Sequence, residues 1–164
     1  MDRVEKLREY IDNILVNKED ADDRRCAYVH LYGVAQACAL IALKRGADAE
    51  LPVIAGMLHD LYVYRIKDIE NHADRGAVYA REVLDELKIT TDEETNAVCA
   101  AIHNHSDKSG AFSELDEILI DADVMQHCLY NPLFPINKHE ADRFRRLLDE
   151  FGIKTRPDSV KETK

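Results

Sequence analysis

The chain has 164 residues, 46% of them apolar and 33% charged, with a formal net charge of −10. That length and balance suit one globular domain that buries its core without disulfides or structural zinc. The acidic charge argues against a broad grip on DNA, RNA or anionic lipid, which needs clustered Lys and Arg, but not against a small anion held locally.

Helical periodicity dominates from the start. Val4, Leu7, Ile11, Ile14 and Leu15 form one apolar stripe, predicting a helix over about 2–17. A polar connector with Asp20, Asp22 and Asp23 follows, and acids there suit the positive end of the next helix dipole. A second helix is expected from about 23 to 45, stopping near Gly46. A third starts near Pro52 in its first turn and runs unbroken through His59-Asp60 to about Tyr64. After a polar link, a fourth covers about 72–88. Thr91 and Glu94 fit a capping box opening a fifth, which runs to about His105. A sixth covers about 113–129 until Asn131-Pro132 and Pro135 break it, and a last one covers about 137–150.

The fold expected is therefore all-α and single-domain. Residues 1–22 form an N-terminal helix and connector, 23–130 the main helical domain, 131–152 a C-terminal helical extension and 153–164 a polar tail. No apolar run reaches the roughly 18–20 residues of a membrane span. The mixed charge of Met1–Lys6 does not resemble a secretory signal. Cys26, Cys38, Cys99 and Cys128 have no C-x-x-C spacing and read as reduced core thiols. A cytoplasmic protein without nucleic-acid or membrane partners is expected. Its oligomeric state is left open.

Three apolar helices are each interrupted by groups that do not belong in a core. His30 shares a face with Ala27, Val34, Ala37 and Ile41. His59-Asp60 closes the run Val53–Leu58. Asp121 and Asp123 sit within Ile118–Met125. Alone, His30 reads as a hydrogen-bonded core residue, and His59-Asp60 as a solvated helix end. Buried carboxylates, however, pair or bind metal. One cation would satisfy all three helices together, and imidazole with carboxylate suits Mn, Fe, Co, Ni or Zn.

These segments, Arg25-x-x-x-x-His30, Ala55-Gly56-Met57-Leu58-His59-Asp60 and Ile118-Leu119-Ile120-Asp121-Ala122-Asp123, with Ile102-His103-Asn104-His105-Ser106 between the last two, resemble the HD superfamily of metal-dependent phosphohydrolases. The resemblance covers roughly 24–130. It implies an HD-type helical bundle with the metal site in its core, holding one or two divalent ions (Mn, Fe, Co, Ni, Zn or Mg). His30, His59, Asp60 and a distal aspartate would be the ligands. The family's alanine–aspartate pattern points to Asp123. Helical phase leaves Asp121 as the alternative, since Asp121 shares a face with Ile118, Ala122, Met125 and Leu129, and Asp123 with Leu119, Ile120 and His127.

The resemblance further implies catalytic roles for Asp60, His72 and His105, the two histidines holding a second ion or protonating a leaving oxygen. The substrate would be a small phosphate ester, a nucleotide in first place. Arg25, Lys67 and Lys108 are candidate phosphate contacts, with solvated surface charge as the plain alternative. Tyr62 and Tyr64 are expected in packing. His103 is expected to point away from His105, and His127 and His139 to be structural or surface residues. The stretch Leu61–Arg65 lacks the I-G-K continuation of cyclic-dinucleotide phosphodiesterases, and their HH doublet and G-Y-P signature are missing. A non-catalytic nucleotide-binding domain, or a di-iron oxygenase on the same scaffold, remains as an alternative.

Overall fold

Eight α-helices follow one another among the residues that the computed structural model describes, 2–67, 69–108, 110 and 112–154. They are α1 (Arg3–Leu15), α2 (Ala21–Arg45), α3 (Glu50–Leu58), α4 (Leu61–Ile66), α5 (His72–Leu87), α6 (Asp92–Asn104), α7 (Glu114–Tyr130) and α8 (Lys138–Glu150). Most of the expected polar tail lies outside the described residues.

Local chemistry fixes most boundaries. The Asp20 carboxylate accepts the backbone N–H groups of Asp22 and Asp23 and so starts α2, while Gly46, at φ 74°, ends it in the left-handed region that only glycine enters freely. Full capping boxes start α6 (Thr91 with Glu94) and α7 (Ser113 with Asp116).

The centre of the bundle is α2 lying between α3 and α7, with α5 and α6 paired alongside, α4 against α5, and α8 on the outer side of α7. Leu7, Ile11 and Leu15 of α1 and Phe144 and Leu147 of α8 belong to the same core as the middle helices. Helix α2 departs from the expectation about apolar runs. An 18-residue window within it has a mean hydropathy of 1.6, enough by composition to cross a membrane. Half of that window is buried inside the bundle, and packing against two helices accounts for its apolar character. The cysteine expectation also needs one correction. Cys38, Cys99 and Cys128 are buried, but Cys26 is exposed, because it lies off the stripe that α2 turns to the core.

A candidate metal centre

The third predicted helix is not continuous. It stops at Leu58, Asp60 takes φ −114° and ψ 9°, and α4 starts afresh at Leu61. In an unbroken helix neighbouring side chains diverge by about 100°. The break lets His59 and Asp60 turn toward one point. The Asp60 side chain makes no capping bond to α4. Instead its Oδ2 lies 3.3 Å from His30 Nε2 and 3.6 Å from His59 Nε2, and its Oδ1 lies 3.6 Å from His105 Nε2 and 4.0 Å from His72 Nε2.

Asp123 reaches the same place from α7. Its Oδ1 is 3.8 Å from His30 Nε2 and 3.9 Å from His59 Nε2. Asp121, two residues earlier, is turned away and accepts hydrogen bonds from Arg45 (2.6 Å) and Arg143 (2.8 Å). His30, His59, Asp123 and His105 are buried.

The hydrogen bonds around the rings set their orientation. His59 Nδ1 donates to the Gly56 carbonyl (2.8 Å), His105 Nδ1 to the Ile102 carbonyl (2.6 Å), and His30 Nδ1 to Gln126 Oε1 (2.8 Å). In the neutral ring this leaves a lone pair at each Nε2, and all three lone pairs face the carboxylates. His30 Nε2 and His59 Nε2 come within 3.0 Å of each other. Asp60 Oδ1 and Asp123 Oδ1 are buried without a hydrogen bond. A cluster of acceptors with so few protons calls for a cation. The donor set fits one. His30, His59 and Asp60 form one group at ligand spacing, and Asp60, His72 and His105 form another that shares the Asp60 carboxylate.

Electrostatics agree with the geometry. Burial lowers the pKa of His59 to about 4 and also lowers that of His105, keeping both rings neutral near pH 7. Burial pushes His30 down, but hydrogen bonding to Asp60 and the charge of Asp123 outweigh it and raise the group. For Asp60 and Asp123 burial acts upward. In the acid range where these carboxyls titrate, below the pKa of His59, the charge on His59 and the hydrogen bond with His30 for the first, and the charge on Lys108 for the second, outweigh it and hold both carboxyls well below their ordinary range.

Of the three cations expected near a phosphate, only Lys108 touches this cluster. Its Nζ donates to Asp123 Oδ2 and to the His105 carbonyl (2.9 Å), and Arg143 Nε holds the Lys108 carbonyl at 3.2 Å. Arg25 and Lys67 instead pair with Asp22 (3.0 Å) and Asp23 (2.6 Å) in the first turn of α2. His103 points outward to Asp74 at 2.7 Å. His72, at the first position of α5, has its Nε2 3.0 Å from the Ser106 hydroxyl. Tyr64 is partly buried on the core and stands with its ring 6.0 Å from His30.

One residue set aside in the sequence belongs here. His127, expected to be structural or on the surface, lies one turn after Asp123 with Nε2 3.3 Å from Asp123 Oδ1. Its ring stacks on His30 at 5.2 Å and 12°. The i, i+4 spacing from Asp123 was the available signal.

The model of the HD domain family matches residues 27–127, more than half of the chain. This chain belongs to the HD domain family. In fold the HD chain is similar to the crystal structure of a predicted HD superfamily hydrolase from an uncultured Thermotogales bacterium. That protein is 23% identical, with 88% of each chain covered and a TM-score of 0.59. No protein of curated function matches the chain significantly. The family is one of metal-dependent phosphohydrolases, and that is the level at which membership assigns this HD domain a chemistry.

Proposed function

We propose that this HD domain hydrolyses a phosphate ester of a small molecule, with nucleotides as the first class, at a centre held by His30, His59, Asp60 and Asp123. The observation that carries the proposal is the pair of buried oxygens, Asp60 Oδ1 and Asp123 Oδ1, that have no hydrogen bond and face imidazole Nε2 atoms. A divalent cation, when bound, acidifies a water and offsets phosphoryl charge.

The protein supplies the rest. Asp60 stays ionised and offers one oxygen to each histidine pair. Lys108 brings a positive charge beside Asp123, where a phosphoryl oxygen gains from it. His105, neutral and with Nδ1 committed to Ile102, presents an acceptor and not a proton. That leaves His72, part-exposed and beside the Ser106 hydroxyl, to exchange a proton with the leaving oxygen. Arg25 and Lys67 would contribute only by leaving their aspartate partners.

The first test is elemental analysis of protein purified without chelator, wild type beside His59→Ala, followed by a panel of phosphomonoesters and phosphodiesters with Mn, Co, Ni or Mg. Transition metal bound by the wild type and lost in the variant, with metal-dependent release of phosphate or of an alcohol, is the expected result. A wild type that binds none of these metals sinks the proposal. The Asp60–His72–His105 group also favours a second reading, a di-iron oxygenase. Oxygen uptake by the iron-loaded protein, without phosphate-ester turnover, would select it. Nucleotide binding without turnover would select the non-catalytic alternative.

A further inference from the structure

His30, His59 and His105 share one arrangement, Nδ1–H donated to a fixed oxygen and Nε2 turned to the carboxylates. A fourth imidazole repeats it. His127 Nδ1 donates to Glu140 Oε1 at 2.8 Å, and the other oxygen of that carboxylate accepts Asn137 Nδ2 at 3.1 Å. Glu140 is 2% exposed, and burying a carboxylate in this way is costly unless its partners are fixed. With Nδ1–H committed, the Nε2 lone pair faces Asp123 Oδ1 at 3.3 Å, an oxygen without a hydrogen bond. Two acceptors so placed need a proton or a cation between them. Hydrogen bonding to Glu140 and the charge of Asp123 raise the His127 pKa, and a metal ion taken up here would replace that proton. Stacking on His30 holds the ring plane in addition.

We infer that His127 is a further protein ligand of the metal centre, beyond the His30, His59, Asp60 and Asp123 set, and that Glu140 of α8 is the residue that positions it. His30, Asp123 and His127 already lie at ligand spacing from one another. Glu140, His127 and the ion make a carboxylate–histidine–metal chain, in which the carboxylate fixes the tautomer and strengthens the ligand. Glu140 lies beyond residue 127, where the family match ends, so the sequence pattern of the family does not contain this element. His127 also lines a 470 Å³ cavity with His30, Tyr64, Gln126, Tyr130 and Phe134, so the fifth ligand stands on the side from which that cavity reaches the centre.

This inference rests on the metal centre proposed above, and the test separates the two. Protein loaded with one equivalent of Co(II) is followed by chelator competition and by the paramagnetically shifted, exchangeable ring N–H signals. Wild type is expected to show one more shifted N–H than His30 and His59 account for. His127→Gln should lose that signal and bind Co(II) about 10–100-fold more weakly. Glu140→Gln, which can still accept from Nδ1, should keep the signal and lose about tenfold or less, while Glu140→Ala should fall further. A His127→Gln protein with unchanged shifted signals and an affinity within about twofold of wild type overturns the inference. So does a wild-type spectrum without the extra signal, which decides the matter even if the variants do not fold. His59→Ala runs in parallel, and if it too binds Co(II) like wild type, it is the proposed centre that fails.

Discussion

Asp121 and Asp123 lie two residues apart on α7, both buried, and each meets a different answer to its charge. Asp121 is closed off by Arg45 and Arg143, while Asp123 is left with one oxygen bare among imidazoles. The first belongs to a buried network in which Arg45 also holds Glu150 and Arg143 also holds Glu117, so that removing Asp121 takes one charged partner from each arginine and leaves the other. Asp121→Ala should therefore destabilise the fold by about 1.5–3 kcal/mol in denaturant unfolding while sparing metal affinity. Asp123→Asn should do the reverse, leaving unfolding close to wild type and abolishing tight metal binding in a chelator titration. The sequence showed that α7 carried misplaced carboxylates, because Ile118–Ile120 and Val124-Met125 frame them. Between the two, the family's alanine–aspartate pattern favoured Asp123, while helical phase left Asp121 open. The partners that decide, Arg45 and Arg143, are 76 and 22 residues away and give no local sign. His127 escaped for a related reason, since one polar residue near a helix end reads as surface until Glu140 is seen beneath it.

At the scale of elements, caps and periodicity placed the helices to within a few residues, since Asp20, Gly46, Thr91 and Ser113 act on neighbouring backbone. The break between α3 and α4 was not legible. No proline or glycine stands at positions 59 and 60, and what accommodates the break comes from another helix. Gly76 of α5 packs directly on the exposed carbonyl at the end of α3. A Cβ there would lie 2.9 Å from the His59 oxygen and 3.4 Å from Ile102 Cγ2. Gly76→Ala should cost about 1–3 kcal/mol through overpacking, against the gain that alanine normally gives within a helix. Because the displaced atom belongs to a metal-facing residue, Co(II) affinity should fall with it. Unfolding and metal titration of the same variant check both, and a more stable protein with intact affinity would refute the role given to Gly76.

For the whole molecule, the ligands hang from helices far apart in sequence, α2 at one end and α7 at the other, with α6 and α8 supporting. Without a cation the arrangement concentrates acceptors at the middle of the core. Metal binding should accordingly stabilise the entire fold. At a free metal concentration of about 100 times Kd the gain is about 2.7 kcal/mol, read as a rise in Tm that His59→Ala does not share. A wild type whose Tm is indifferent to Mn, Co, Ni and Zn would contradict it. The metal-free protein need not unfold, because Leu31, Ile54, Met57 and Ile118 make a dry core that does not depend on the ion.

Helices α2 and α3 touch where Gly56 meets Ala35. A methyl at Gly56 would sit 2.8 Å from Ala35 Cα and 3.0 Å from Ala35 N. His59 hangs from the Gly56 carbonyl, and His30 stands on α2 little more than one turn before Ala35. The two imidazoles are thus the jaws of a caliper whose hinge is an absent side chain. A Gly56→Ala chain would keep every ligand and open the caliper. The radius of ion that the jaws grip is therefore set at a position that never touches the ion.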